Sequence, residues 1–255
     1  YAPHMVTAFL AACATKVSLY VLLRFDFFVF QQNLVGHDFQ FAAYLMPLAV
    51  LGILIGSAVA MFEQNVKRLL AFSSVAQIGY VMLGASLVSL TGLTAATLHM
   101  FNHALAKGGL FLAIAGLAIA AAHCRLSDFT GLARRMPWTF GAFVVAGLSL
   151  IGVPGTAGFI SKWYLVKAAL ELGTPGIALV AVIVVSSLMA IVYIWRIVET
   201  AYFGKSIERA AVAVPPALFV AIWLVALANV WFGLSPLLPL SLAESAADIL
   251  LGHLR

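Results

Sequence analysis

The sequence predicts an all-α integral membrane protein of about seven transmembrane helices, one of them broken by a Gly-Pro-Gly segment. Composition is the first reason: hydrophobic residues make up 64% of the 255-residue chain and charged residues 9%. Mean hydropathy is +1.09. A soluble domain carries about a quarter charged residues to keep its surface wet, so most of this surface requires lipid as its solvent. The second reason is pattern. The apolar runs are continuous rather than alternating, which excludes the period-two signature of a β-barrel.

The spans read off in order. The first extends from Met5 to Arg24 and is followed by a polar loop with Asp26, Gln31, Gln32, Asn33, His37 and Asp38. The second, Phe41 to Phe62, ends in Glu63-Gln64-Asn65-Val66-Lys67-Arg68. The third covers Leu69 to Leu90 and closes on Thr91-Gly92; the fourth covers Ala95 to Ala122 and leads into a basic loop, Arg125 through Arg135. The fifth apolar run, Trp138 to Leu172, is too long for one regular span and is interrupted by Gly152-Val153-Pro154-Gly155-Thr156-Ala157-Gly158. The sixth is Gly176 to Phe203 and the seventh Pro215 to Leu234. Residues 236–255 include an amphipathic stretch, Leu240 to Leu251, expected to lie at the membrane interface.

The whole of 1–255 is thus expected to form one transmembrane bundle. Its opening Tyr1-Ala2-Pro3-His4, with neither an initiator Met nor a signal peptide, predicts a fragment whose upstream half is missing. The net charge of +5 is spread through loops and is not a nucleic-acid patch. If each run spans once, Lys67, Arg68, Arg125, Arg134, Arg135, Lys205 and Arg209 share one side, which the excess of basic residues makes cytoplasmic. Cys13 and Cys124 are solitary and read as small hydrophobes, so no metal or Fe–S centre is expected from them.

Ionisable residues at membrane depth cost at least a few kcal/mol and are functional candidates by default. Lys16 lies inside the first span, about 12 Å from Arg24 along a helix, which is far for snorkelling. His99, His103 and Lys107 recur at i, i+4 and i+8 in the fourth span, with Asn102 alongside. That spacing places the three on one helix face over about 12 Å. Imidazoles titrate near neutrality and a buried amine changes protonation readily, so the row suits a proton relay. The alternatives are packing against neighbouring helices, or zinc held by the i, i+4 histidines; for zinc, no carboxylate or Cys lies nearby in sequence to complete the site.

Lys162 follows the break formed by Gly152, Pro154, Gly155 and Gly158, with Ser161 before it. Proline removes a helix hydrogen bond and glycines let the backbone open. Discontinuous helices of this kind mark ion sites in transporters; a plain proline kink is the alternative. Glu63, Lys67 and Arg68 read mainly as an orientation anchor, with Lys67 a supporting polar group. Lys167, Arg196 and Glu199 sit nearer helix ends, where snorkelling explains them. No catalytic residue, cofactor motif or nucleotide loop is present, so no redox site is expected in this chain.

Four stretches carry a family resemblance. They are Ala2-Pro3 leading to Ala14-Thr15-Lys16 and Tyr20 through Arg24; Asn65 through Ser74 with Gln77-Ile78-Gly79-Tyr80; His99 through Phe111; and Gly152-Val153-Pro154 through Lys162. In this order they resemble the antiporter-like membrane subunits shared by Mrp-type cation/proton antiporters and the proton-pumping arm of respiratory complex I. The resemblance implies the second half of an inverted-repeat fold with a water-lined axis of charged residues and two half-channels. By position, Lys16 resembles the lysine associated with the first broken helix, Lys107 the central-axis lysine and Lys162 the lysine of the second broken helix. His99 and His103 resemble relay residues. The family's acidic switch residue has no counterpart in this chain, so this piece is not expected to pump alone.

The form His-Met-Phe-Asn-His-Ala-Leu-Ala-Lys and the short tail look most like the D-type component of Mrp antiporters. The resemblance therefore implies exchange of protons for Na+ by a multi-subunit complex in a bacterial inner membrane, beside other hydrophobic subunits and lipid, with no nucleic acid. The alternative it implies is a proton-translocating subunit of an NADH-quinone oxidoreductase or related redox complex. A membrane scaffold is the third reading, weakened by three separate spans that each carry a deep lysine.

Overall fold

A computed structural model describes residues 4–30, 41–121, 123–204 and 213–252, and every regular element among them is helical. Lys205, Arg209, His37 and Asp38 fall outside the described residues. Among the described residues six helical segments are long and apolar enough to cross a membrane. The broken fifth run supplies the expected seventh as two shorter helices.

The first span comprises α1 (His4–Phe9) and α2 (Thr15–Arg24), joined by a π-helical turn at Leu10–Ala14. A π turn adds a residue to the helical circuit and is often found at functional sites; this one ends two residues before Lys16. The next helix, α3 (Phe41–Phe62), packs along its length against α4 (Val66–Ser86). The chain reverses between them in three residues. Asn65 caps α4, its side-chain oxygen accepting from the Lys67 and Arg68 N–H groups at 3.1 and 3.2 Å. Such a cap satisfies two of the four N–H groups a helix start leaves open. At the same turn Glu63 accepts from the Asn65 and Gln64 N–H groups and meets Arg68 at 3.2 Å. These partners, the Asn65 N–H foremost, outweigh partial desolvation and hold its carboxyl below the usual range.

The turn between α4 and α5 (Leu90–Leu117) lies at 87–89, earlier than the apolar pattern predicts. Val88 takes a positive φ of 46°, and the Ser89 hydroxyl accepts the Gly92 N–H at 3.0 Å as the α5 cap. Thr91-Gly92 is therefore inside the helix. Gly92 is there because α4 and α5 touch: a Cβ on Gly92 would stand 2.6 Å from the Gly84 carbonyl oxygen.

The fifth run divides into α6 (Pro137–Ile151) and α7 (Ala157–Leu170), followed by α8 (Thr174–Phe203), α9 (Pro216–Leu234) and α10 (Leu237–Gly252). The axis of the bundle is α5, which packs against α1, α4, α6, α7, α9 and α10. It is the most enclosed of the candidate spans, with 72% of its apolar window buried, against 17% for α9. The tail helix α10 lies along the N-terminal half of α5, where the Thr97 hydroxyl donates to the Ala243 carbonyl at 3.3 Å.

Loop contacts collect the basic residues at one end. The Val66 N–H donates to Cys124 O and the Leu126 N–H to Gln64 O, each at 2.8 Å, and the Gly131 N–H reaches Thr200 O at 3.3 Å. Lys67, Arg68, Arg125, Arg134 and Arg135 therefore share an end, as the span count predicts. Arg196 is also there, donating to the Met61 carbonyl at the end of α3.

Candidate functional site

Along α5, the side chains of His99, Asn102, His103 and Lys107 are all buried, with Lys107 at 0% exposure. Such burial of four polar residues on one face is tolerated only where partners are supplied. The neighbouring helices supply them to His99, Asn102 and Lys107.

His99 joins three helices. Its Nε2 lies 2.9 Å from Gln77 Oε1 on α4, and its Nδ1 lies 2.9 Å from Ser161 Oγ on α7. A neutral ring with the proton on Nε2 donates to Gln77 and accepts from the Ser161 hydroxyl. A charged ring donates at both positions, and Ser161 then turns its proton to the Gly158 carbonyl, 3.2 Å away. Both protonation states thus have a complete set of partners. The His103 ring stacks on that of His99 with centroids 6.1 Å apart, and its Nε2 is buried without a partner among the described residues.

Lys162 sits where the fifth run breaks. Helix α6 ends at Ile151, and Gly152 follows with φ 90°, the left-handed turn that closes a helix C-terminus. The Lys162 ammonium donates to the Ile151 carbonyl at 2.8 Å, to the Leu150 carbonyl at 3.3 Å and to Ser187 Oγ on α8 at 3.0 Å. It also lies over the Tyr80 ring, 4.9 Å from the centroid. Three donors thus meet three acceptors at the negative end of a half-helix, an arrangement that favours a cation. The four break residues have distinct parts. Pro154 sits in the connection, Gly152 allows the lysine stem past at a distance where a Cβ would stand 2.9 Å from its Cδ, and Gly155 takes φ 86°. Gly158 lets α7 start directly against the Ser149 carbonyl.

Lys107, two turns along α5 from His99, points to α4 instead. Its ammonium donates to the Leu70 carbonyl and to Ser73 Oγ, each at 2.5 Å. The Asn102 amide donates to the Ala157 carbonyl at the start of α7, 2.6 Å away, while its oxygen is buried without a partner among the described residues. Lys16 is half-buried and donates to the Ala11 carbonyl inside the π turn. Lys67 stands apart, in the first turn of α4 at the basic end.

The geometry adds residues that the sequence pattern alone does not select. Gln77, Ser73 and Tyr80 bring the α4 face to the site; Ser186 and Ser187 bring α8. Tyr80 meets the His99 ring edge-on at 5.5 Å, and Ser186 bonds Ser57 of α3 at 2.6 Å. A signal existed: Ser73, Gln77 and Tyr80 recur at i, i+4 and i+7, one polar stripe in an apolar span. At the end of the bundle away from the basic loops, a cavity of about 480 Å³ opens between α5, α7 and α10, lined by Thr94, Tyr164, Lys167, Glu244 and Asp248 among others.

This site geometry can be set beside known proteins. The family described as the transmembrane region of NADH:quinone oxidoreductase and Mrp antiporter subunits matches residues 1–190. The chain belongs to that family. The NADH-quinone oxidoreductase subunit N of Desulforudis audaxviator is 46% identical over 222 residues, which are 85% of this chain and 43% of that protein. A chain in the Mrp complex from Dietzia sp. shares the fold with a TM-score of 0.86 and 27% identity, over 97% of this chain and 53% of that one. A chain of respiratory complex I from Thermus thermophilus matches with a TM-score of 0.65 and 28% identity, over 78% of this chain and 45% of that one. The chain thus spans about half the length of the relatives it matches. Membership establishes a multi-pass membrane protein of the antiporter-like fold. It does not support the expected likeness to the D-type Mrp component, because the sequence relative is a subunit N.

Proposed function

We propose that this chain is the membrane part of a proton-translocating subunit of a quinone oxidoreductase complex. The carrying observation is the continuity of the buried polar groups. Lys162 lies over Tyr80, Tyr80 meets His99, His99 stacks on His103, and Lys107 follows one helical turn beyond on the same helix. Lys16, on the α1–α2 span, is the fifth lysine or histidine after Lys162, His99, His103 and Lys107. The unpartnered His103 Nε2 and Asn102 Oδ1 call for interior water, the usual partner of buried polar atoms. Water between groups that exchange protons is what a relay needs.

The chemistry assigned to each residue follows from its partners. His99 passes a proton because both of its states are hydrogen-bonded. Lys162 and Lys107 hold charge against helix carbonyls and release it when those carbonyls move. Asn102 and Ser161 position the row against α7. The cavity beside Thr94, about 7.5 Å along α5 from His99, suits the opening of one half-channel. The complex would lie in a bacterial cytoplasmic membrane among other hydrophobic subunits, with oxidation and reduction in other chains.

The high fold similarity to a chain of an Mrp complex keeps a second reading, proton exchange for Na+, and one experiment separates the two. In the complete subunit within its assembled complex, Lys107→Ala and Lys162→Ala are expected each to abolish proton flux, measured as pH change in everted vesicles, without loss of assembly. Flux driven by quinone reduction and indifferent to Na+ supports the redox reading; flux driven by a Na+ gradient alone supports exchange. Normal flux in both variants removes the relay assignment altogether.

A further inference from the structure

Two of the deep lysines turn to serines and not to imidazoles. Among the described residues the Lys107 ammonium donates to Ser73 Oγ at 2.5 Å and the Lys162 ammonium to Ser187 Oγ at 3.0 Å. These serines lie on α4 and α8, whose Val66 and Thr200 ends both bond to the basic loop, so the two helices run antiparallel. Ser73 and Tyr80 stand seven residues apart on α4, and Ser186 and Tyr193 seven apart on α8. Each spacing is about 10.5 Å. The opposed register sets each tyrosine against a serine of the facing helix: Tyr80 interacts with Ser186 and its neighbour Ser187, and Tyr193 with Ser73. Ser73, Tyr80, Ser186 and Tyr193 are all at most 2% exposed. Long helical side chains lean toward their own N-terminus. In opposed helices this tilts the two phenols toward each other, and Tyr80 and Tyr193 lie within electrostatic reach. We propose that Ser73, Tyr193, Tyr80 and Ser187 form a second proton path between Lys107 and Lys162, parallel to the histidine row.

A hydroxyl both donates and accepts, so it can take a proton at its oxygen while giving up the one it holds. The Lys107 ammonium passes its proton to the Ser73 oxygen, and Ser73 passes its own to Tyr193. Tyr193 passes its own to Tyr80, through water where the phenols do not touch. Tyr80 hands on to Ser187, and Ser187 to the neutral amine of Lys162. Lys107 ends neutral, Lys162 ends charged, and every hydroxyl keeps one proton. The hydroxyls are free to turn: that of Tyr193 faces Ser73 without closing a hydrogen bond, and that of Tyr80 reaches the Ile183 carbonyl only at 3.4 Å. Packing alone explains the rings but not their oxygens. Phenylalanine would fill the same space without burying a weakly partnered hydroxyl, which costs about 1–3 kcal/mol.

This path presupposes the relay reading, and the test keeps the two apart. It uses the complete subunit in its purified complex, reconstituted in vesicles, with proton flux read as pH change. Lys107→Ala and Lys162→Ala report on the relay as a whole: if both run normally, that reading fails and the second path with it. If both stop, the remaining variants decide the path alone. Tyr193→Phe, which keeps the ring and removes the hydroxyl, should slow flux about twofold, as should His103→Phe, because each leaves the other route open. The two together should slow it more than about tenfold, well beyond the product of the single losses. A combined loss no greater than that product, complete loss in His103→Phe alone, or normal flux in Tyr193→Phe would overturn the second path. Should His103→Phe fail to assemble, 3-fluorotyrosine in place of Tyr193 decides. It keeps the shape and makes the hydroxyl more acidic, so the pH dependence of flux should move to lower pH. A profile that stays where it is would overturn the path, since a packing role depends on shape alone.

Discussion

Gln77 and Ser161 hold His99 between them, so the imidazole has the Gln77 oxygen as acceptor at Nε2 and the Ser161 hydroxyl at Nδ1. Replacing Gln77 with leucine preserves most of the volume and removes the acceptor at Nε2. A buried donor left without a partner costs about 1–3 kcal/mol. The expected outcome is a lower melting temperature of the assembled complex together with slowed proton flux. Gln77→Glu, which keeps an acceptor at the same reach, should recover flux better than Gln77→Leu. If the leucine variant melts lower yet pumps at the normal rate, Gln77 is a packing residue and His99 needs no oriented partner. The same scale separates Lys162 from Lys107. Lys162 meets three acceptors contributed by α6 and α8, whereas Lys107 meets two on α4. The two lysines are therefore tied to different moving parts.

The break between α6 and α7 is the element on which Lys162 depends. Its ammonium reaches the last carbonyls of α6 only because α7 begins close against Ser149. Gly158→Ala puts a methyl into the Ser149 carbonyl, backbone against side chain with no flexible atom to yield. We expect it to cost about 1–3 kcal/mol and to stop proton flux by moving Lys162 off the α6 terminus. Gly155→Ala is the control. Its φ of 86° costs an alanine about 1–2 kcal/mol, but no neighbour stands in the added methyl's way. Its flux should fall much less. Equal flux in both variants would show that the close start of α7 does not position the lysine.

Much of this element is legible in the sequence. Pro154 and its glycines announce the break, and the i, i+4, i+8 row on α5 announces the buried face, because both depend on local periodicity. What cannot be read is which helices come to meet them. The stripe Ser73, Gln77, Tyr80 is visible as a spacing, but its value arises only when α4 packs on α5. Ser186-Ser187 carry no local signal, since serines in an apolar helix bond their own backbone as readily as a lysine. The turn at 87–89 is displaced from its expected position for a related reason: Thr91-Gly92 looks like a stop, and only the contact between Gly92 and Gly84 shows it to be an inner position.

At the scale of the whole molecule, the two ends differ in charge. Lys67, Arg68, Arg125, Arg134 and Arg135 gather at one, while the cavity at the other carries Glu244 and Asp248 with Lys167. Orientation follows the basic residues, so the end bearing Arg125 should face the cytoplasm and the acidic cavity the opposite compartment. Single cysteines test this in the complete subunit. Ser127 is exposed in the basic loop, and Glu171 is exposed in the connection after α7. A membrane-impermeant maleimide should label Ser127→Cys in everted vesicles and Glu171→Cys in right-side-out vesicles. Cys124 is buried and Cys13 lies within a span, so a variant lacking both provides the background. Labelling of both sites from one face would mean that α6 and α7 together do not complete a crossing. Because Lys167 near the end of α7 and Thr94 near the start of α5 line one cavity, that result would put the cavity in the same compartment as the basic loops and overturn the crossing of α5 as well. A relay with both mouths on one side moves no net charge, so this measurement bears on the proposed pumping as directly as any substitution of a lysine.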